Sequence, residues 1–131
     1  GVNAGILLFT GATATRGAEL NASKHWVTYG HTRRAVAAAV VAGTTQTQGN
    51  VPLTNDINNV TVVANANDVV TMPTASIGLE LVIRNEGANT LQIFPASGDN
   101  IGGAGVDTSV TLATATTVRY AAIDATNWIV A

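Results

Sequence analysis

The sequence predicts an all-β fold, a small antiparallel β-sandwich or barrel of jelly-roll-like type, led by an extended N-terminal arm. Three observations predict it. From about Thr44 onward, short apolar segments recur at intervals of roughly 8–12 residues. Clusters of Asn, Asp, Gly and Pro separate them, each a turn former for its own backbone reason. Within the clearest segments apolar and polar side chains alternate with period two, the signature of a strand with one buried face.

Residues 1–43 lack that regularity and are read as an arm or attachment region, with 44–131 as the β domain. The arm carries an apolar run, Ile6-Leu7-Leu8-Phe9, then the small-residue segment TGATATRGAEL and an aromatic patch, His25-Trp26-Val27-Thr28-Tyr29. Arg33 to Ala42 can be read two ways. Its alanines favour helix; Val36, Val40, Val41 and the following Gly43-Thr44-Thr45 suit an extended strand, which is the reading adopted.

The remaining elements follow in order. Val60–Val63 is β-branched and follows the turn-rich NDINN; Val69–Met72 ends at Pro73, which cannot donate to a ladder. Gly78–Arg84 places Leu79, Leu81 and Ile83 on one face and Glu80, Val82 and Arg84 on the other. Asn85–Asn89 has the length and glycine of a hairpin connection, and Thr90–Phe94 returns with Leu91 and Ile93 inward. The cluster 95–100 and the run Gly102-Gly103-Ala104-Gly105 are turns. Val106–Leu112, Thr117–Ile123 and Asn127–Val130 complete the series, with Trp128 closing the core.

Charge narrows the function classes. Of 131 residues, 47% are hydrophobic and only 11% charged, against about 25% charged in ordinary soluble domains. Thr, Asn, Ser and Gly replace the missing charge. Depletion of charge is a property of subunit interfaces, so a homo-oligomer is expected. Six basic and eight acidic residues give a net charge of −2. Apart from Arg33-Arg34 the basic residues are scattered, so the basic face of a nucleic-acid binder is missing and no direct nucleic-acid partner is expected. There is no cysteine, which rules out disulfide frameworks and thiolate metal sites. The longest apolar run, Ala35–Ala42, is far short of a membrane span, and GVNAGILLFTG lacks the basic start of a secretory signal.

No arrangement of residues points to catalysis, a cofactor or a metal. His25 and His31 form no metal-binding helix motif and are read as polar interface residues beside Trp26 and Tyr29. Ser23, Ser76, Ser97 and Ser109 lie in no nucleophile-elbow context. Asp56, Asp68, Glu80, Glu86, Asp99, Asp107 and Asp124 are solitary and mostly in turns, where Asp caps the local backbone. The glycine-rich IGGAG precedes a strand and is neither a P-loop nor a dinucleotide fingerprint. The candidate partner-binding residues are therefore Ile6, Leu7, Leu8 and Phe9 of the apolar run, Trp26 and Tyr29, whose residue types dominate binding hot spots, and Phe94, which alternation turns away from Leu91 and Ile93.

The stretch VIRNEGANTLQIFPASGDNIGGAG…VTLATATTVRYAAIDATNWIV resembles a recurring module of tailed-bacteriophage structural proteins. That module has an RN-x-GAN-x-L-x-(I/V)-(F/Y)-P-x-(S/T)-GD segment, an I-x-G loop, an aromatic-containing strand and a terminal T-x-W strand. The matching positions are Arg84-Asn85, Gly87-Ala88-Asn89, Leu91, Ile93-Phe94-Pro95, Ser97-Gly98-Asp99, Ile101-Gly102, Tyr120 and Thr126-Asn127-Trp128. The resemblance covers roughly residues 50–131 and is similar in kind to capsid decoration (cement) proteins, head fibres and tail-associated fibres. The short chain, without a fibrous shaft, favours decoration. The resemblance implies a non-enzymatic virion protein on the outer capsid surface, a homotrimer that binds the major capsid protein. The alternative it leaves open is a head-fibre or tail-associated receptor- or glycan-binding module, with Trp26 and Tyr29 as a sugar platform.

Overall fold

The structure, a computed structural model, describes residues 18–20, 26–28 and 33–131. Every regular element among them is a β-strand. The chain divides into two units, Gly1–Arg33 and Arg34–Ala131. In the first, β1 (Ala18–Leu20) pairs antiparallel with β2 (Trp26–Thr28), Leu20 opposite Trp26.

The second unit opens with β3 (Val36–Val41), so the ambiguous Arg33–Ala42 segment is extended. β3 lies beside β4 (Ile57–Val62) in one sheet. That pairing puts residues 36–43 with the β strands, and the division falls after Arg33 rather than near residue 43.

The chain then alternates between two sheets. A six-stranded sheet has the order β3, β4, β6 (Glu80–Asn85), β10 (Thr116–Ala122), β11 (Asn127–Val130), β8 (Asn100–Ile101). A three-stranded sheet has the order β5 (Asp68–Thr71), β7 (Leu91–Phe94), β9 (Val110–Leu112). Strands that follow one another from β4 to β9 therefore sit in different sheets, and β6 returns beside β4, and β7 beside β5, each pointing the same way. β3–β4, β4–β6, β5–β7 and β8–β11 are parallel; β6–β10, β10–β11 and β7–β9 are antiparallel. The pairing is thus mixed rather than antiparallel throughout. Residues 85–89 are likewise no hairpin, because β6 and β7 belong to different sheets; the segment arches from one sheet to the other.

Successive arches stack. Gly87 packs on Val63, where an added Cβ would come within 2.6 Å of the Val63 backbone nitrogen. Asn89 Nδ2 donates to the carbonyls of Val63 (2.9 Å) and Ala64 (3.0 Å), and Asn67 N donates to Thr90 O (2.8 Å). Asn85 is fully buried. Its Nδ2 donates to Asn89 O (2.9 Å) and Leu112 O (3.0 Å), and its Oδ1 accepts from Gly87 N (2.9 Å). One amide thus joins β6, the arch and β9, satisfying backbone groups that a turn inside a core would otherwise orphan.

Inward residues of both sheets make one hydrophobic cluster, among them Val60, Val70, Leu81, Ile83, Leu91, Ile93, Ile101, Tyr120 and Trp128. The alternation read from Gly78–Arg84 holds, with Leu81 and Ile83 buried and Glu80, Val82 and Arg84 turned outward. Trp128 is 1% exposed and belongs to the core as expected. The glycine run 102–105 is a turn with Gly102, Gly103 and Gly105 at positive φ. β9 is shorter than the expected Val106–Leu112: Asp107 at φ 59° breaks the extended backbone ahead of it.

Candidate interaction surface

The second unit's carboxylates are tied into the fold. Asp56 Oδ2 accepts from Ala35 N (2.9 Å), Asp68 Oδ2 from Asn65 N (2.9 Å) and Asp99 Oδ2 from Ala75 N (2.7 Å). Asp107 Oδ1 accepts from Gln48 Nε2 and Gly98 N, both at 2.8 Å. Asp124 Oδ1 accepts from Thr126 N and Asn127 N, both at 2.8 Å. Asp68 and Asp124 are the local backbone caps that Asp residues supply; Asp56, Asp99 and Asp107 instead tie together segments distant in sequence.

The two glutamates act differently. Glu80 receives Arg34 and, at 2.6 Å, Arg119; Glu86 receives Arg84 at 2.8 Å and Asn59 at 2.7 Å. Hydrogen bonds from Arg34, then Arg119, hold the Glu80 carboxyl below its ordinary range, and Arg84 followed by Asn59 does the same for Glu86. Glu80 and Arg84 of β6 and Arg119 of β10 share the outer face of the six-stranded sheet, where cross-strand pairing supports it. No group of three or more His, Asp or Glu residues gathers into a metal-holding cluster among the described residues.

The sequence-predicted contact residues are distributed as follows. Ile6, Leu7, Leu8, Phe9 and Tyr29, together with His25 and His31, lie outside the described residues. Trp26 opens β2 in the first unit. Phe94 ends β7, half-buried, on the opposite face from the fully buried Leu91 and Ile93, as alternation predicts.

Sequence reasoning missed the apolar surface of the second unit. β3 ends the six-stranded sheet, and Val36 and Val41 are 56% and 59% exposed. Val62, the Cα partner of Val41, is 44% exposed, and Ala38 and Ala39 are exposed as well. Between Val36 and Val41 there is no charged residue. The signal was visible as the uncharged run AVAAAVVAG, which periodicity could not place at an edge. A second apolar area lies between β9 and the β8–β11–β10 end of the larger sheet. There Ile101, Val110, Leu112, Val118, Tyr120 and Val130 line a groove of about 390 Å³ together with Gly102–Ala104 and Thr111. Ile123, just past the end of β10, and Ile129 and Val130 of β11 are exposed.

Compared with protein-family models, curated proteins and solved structures, the chain matches none.

Proposed function

We propose that this chain is a non-enzymatic virion structural protein, a decoration or cement protein that binds the outside of a phage capsid and bridges its capsomers. In this reading the two sheets of residues 34–131 pack face to face as a sandwich and the protein assembles as a homotrimer. Residues 1–33 supply an attachment arm to the major capsid protein, through Ile6, Leu7, Leu8, Phe9, Trp26 and Tyr29, and Phe94 is a further contact.

The use of charge supports this reading most directly. Arg34, Arg84 and Arg119 are engaged by Glu80 and Glu86, and the aspartates accept hydrogen bonds from the chain's own backbone, so these ionic groups serve the fold. Its exposed apolar side chains include Val36, Val41 and Val62 on β3 and β4 and, separately, Ile129 and Val130 on β11. Exposed apolar surface on a small domain marks sites of association. The resemblance of residues 50–131 to tailed-phage modules supplies the kind of partner. Several weak apolar contacts held by one oligomer gain avidity of roughly 10²–10⁴ without any single strong contact, which is how such a protein would hold a shell under internal pressure.

Co-sedimentation with empty, expanded capsids tests the proposal, with light scattering to fix the oligomer. Saturable binding by a trimer is the expected result. A stable monomer that stays in the supernatant overturns it. Binding to glycans instead, lost on Trp26→Ala, overturns it in favour of a receptor-binding module.

A further inference from the structure

We propose that residues 43–53 form a hinged strap that opens as a unit within the folded protein and uncovers the outer edge of β5, with Thr71 as the latch that holds it shut. Such a gate is independent of the capsid-binding reading and rests on contacts inside the second unit alone.

The two ends of the segment are pinned close together on one strand. Gly43 exchanges hydrogen bonds with Val69 (2.9 and 2.8 Å), and Leu53 N donates to Thr71 O (2.8 Å). No regular strand forms between them; Gly43–Val69 and Pro52–Thr71 are isolated bridges. The body of the segment is packed by its own groups. Thr47 N and Asn50 Nδ2 both donate to Thr45 O at 2.8 Å, and the Asn50 amide lies so close over Gly43 that an added Cβ would collide with it. Neighbouring ends and a self-packed body are the marks of an Ω-loop. Bonds of this internal kind travel with the loop, so it moves as one body.

Its attachment to the rest of the unit concentrates on Thr71. Besides accepting from Leu53 N at its carbonyl, Thr71 donates from N to Val51 O (3.0 Å) and from Oγ1 to Asn50 O (2.8 Å), and Oγ1 accepts from Gly49 N (3.0 Å). The tip is held only by side-chain amides. Gln46 Nε2 donates to Ala66 O (3.0 Å), and Gln48 Nε2 to Pro95 O (3.0 Å) and Asp107 Oδ1 (2.8 Å).

The closed loop is also strained. Val51 holds a φ of 45°, in the left-handed region where a β-branched residue is an outlier. Such strain persists only where the surroundings impose it, and it collects at switch segments. Opening lets Val51 return to ordinary backbone, which offsets part of the bonding given up. What opening uncovers is a row of main-chain groups. Val69 and Thr71 turn both N–H and C=O to the strap, whereas the N–H of Met72, next in the chain, donates to Phe94 O of β7 (2.9 Å). Closed, the strap covers a sheet edge, one of the ways natural proteins keep edges from pairing. Open, it leaves β5 as the edge of the smaller sheet.

Native-state hydrogen exchange on the full chain tests this directly, because the strap protects the Val69 and Thr71 amides and β7 protects that of Met72. After correction for intrinsic rates, Val69 and Thr71 should exchange roughly tenfold or more faster than Met72, as a sub-global opening requires. Thr71→Val deletes both Oγ1 bonds and keeps the backbone ones; it should raise the Val69-to-Met72 rate ratio about fivefold further. Gly49→Ala reaches the same end without touching β5. Its new Cβ meets nothing within 4 Å, so only the backbone cost of a side chain at φ 89° acts, and the ratio should again rise several-fold. Equal rates for Val69 and Met72 in the unaltered protein overturn the proposal, since the strap would then open only with the whole fold. So does an unchanged ratio in either variant. Capsid co-sedimentation is read separately, so either idea can fail alone.

Discussion

Replacing Asn85 by alanine should destabilise the second unit far more than its position in an apparent turn suggests. Three hydrogen bonds end on this side chain, at 2.9, 3.0 and 2.9 Å, and the residue is 0% exposed. At about 1 kcal/mol each they contribute roughly 3 kcal/mol, and the orphaned Gly87 N–H adds part of a desolvation cost of about 1–3 kcal/mol. The loss should therefore be about 3–4 kcal/mol, a large share of the roughly 5–15 kcal/mol that holds a domain together. Denaturant unfolding followed by far-UV circular dichroism reads it as a lower midpoint at unchanged slope. Asn85→Asp refines the test. It keeps the acceptor for Gly87 N but aims an oxygen at Asn89 O and Leu112 O, which favours the protonated acid. Its folded pKa is then raised, so the variant is least damaged below the unfolded carboxyl pKa and loses stability as pH rises. A loss under about 1 kcal/mol for Asn85→Ala, or an Asp variant insensitive to pH, would refute the view that this amide joins the two sheets.

Three further outcomes are expected. Gly87→Ala drives a methyl to 2.5–2.6 Å from Val63 atoms, one of them backbone, and should cost about 1–3 kcal/mol by overpacking, seen as a lower thermal midpoint. Ala115→Gly relieves a positive φ of 57° in the exposed turn before β10; the left-handed cost of about 1–2 kcal/mol exceeds the added glycine entropy of roughly 0.5–1 kcal/mol, so the midpoint should rise slightly. Burial pushes the Tyr120 hydroxyl up to about 12. Because the folded pKa is raised, its contribution is complete below pH 10 and lost as pH climbs toward 12, so the Tyr120→Phe variant should lack the latest phase of phenolate absorbance and resist alkaline unfolding better.

Burial was legible in the sequence, and connectivity was not. Period-two alternation assigned Leu81, Ile83, Leu91 and Ile93 inward and Phe94 to the other face, because the side-chain period depends only on strand geometry. The same alternation is silent about which strand lies alongside, so a parallel return through a second sheet looked like a hairpin at NEGAN. Buried amides misled in the same way. Asn58 and Asn85 lie inside strands at 1% and 0% exposure, yet NDINN and NEGAN carry the composition of turns. One signal went unused. Ala66-Asn67 and Pro73 recur as Ala88-Asn89 and Pro95, 22 residues on. A repeat of that length fits one circuit through both sheets: 25 residues separate Ile57 from its partner Val82, and 23 separate Asp68 from Leu91. On the interaction surface, the lack of charge was legible in composition, whereas its concentration at β3 depended on the pairing partner.

That circuit also accounts for where the sheets end. Strands stacked in parallel offer the next circuit the same row of main-chain groups they received, so the stack ends only where something breaks the pattern. On the C-terminal side both sheets reverse: β10 runs antiparallel to β6, and β9 to β7. On the N-terminal side the smaller sheet is closed by the irregular segment Gly43–Leu53 lying along β5. Val51 holds a φ of 45° in that segment, a conformation that β-branched residues rarely adopt, as its carbonyl meets Thr71 N. Among the described residues the larger sheet ends at β3, in a sequence of alanine and valine without charge. Where each sheet ends among the described residues therefore follows from how the stacking is interrupted, by reversal after β6 and β7 and by the Gly43–Leu53 segment along β5.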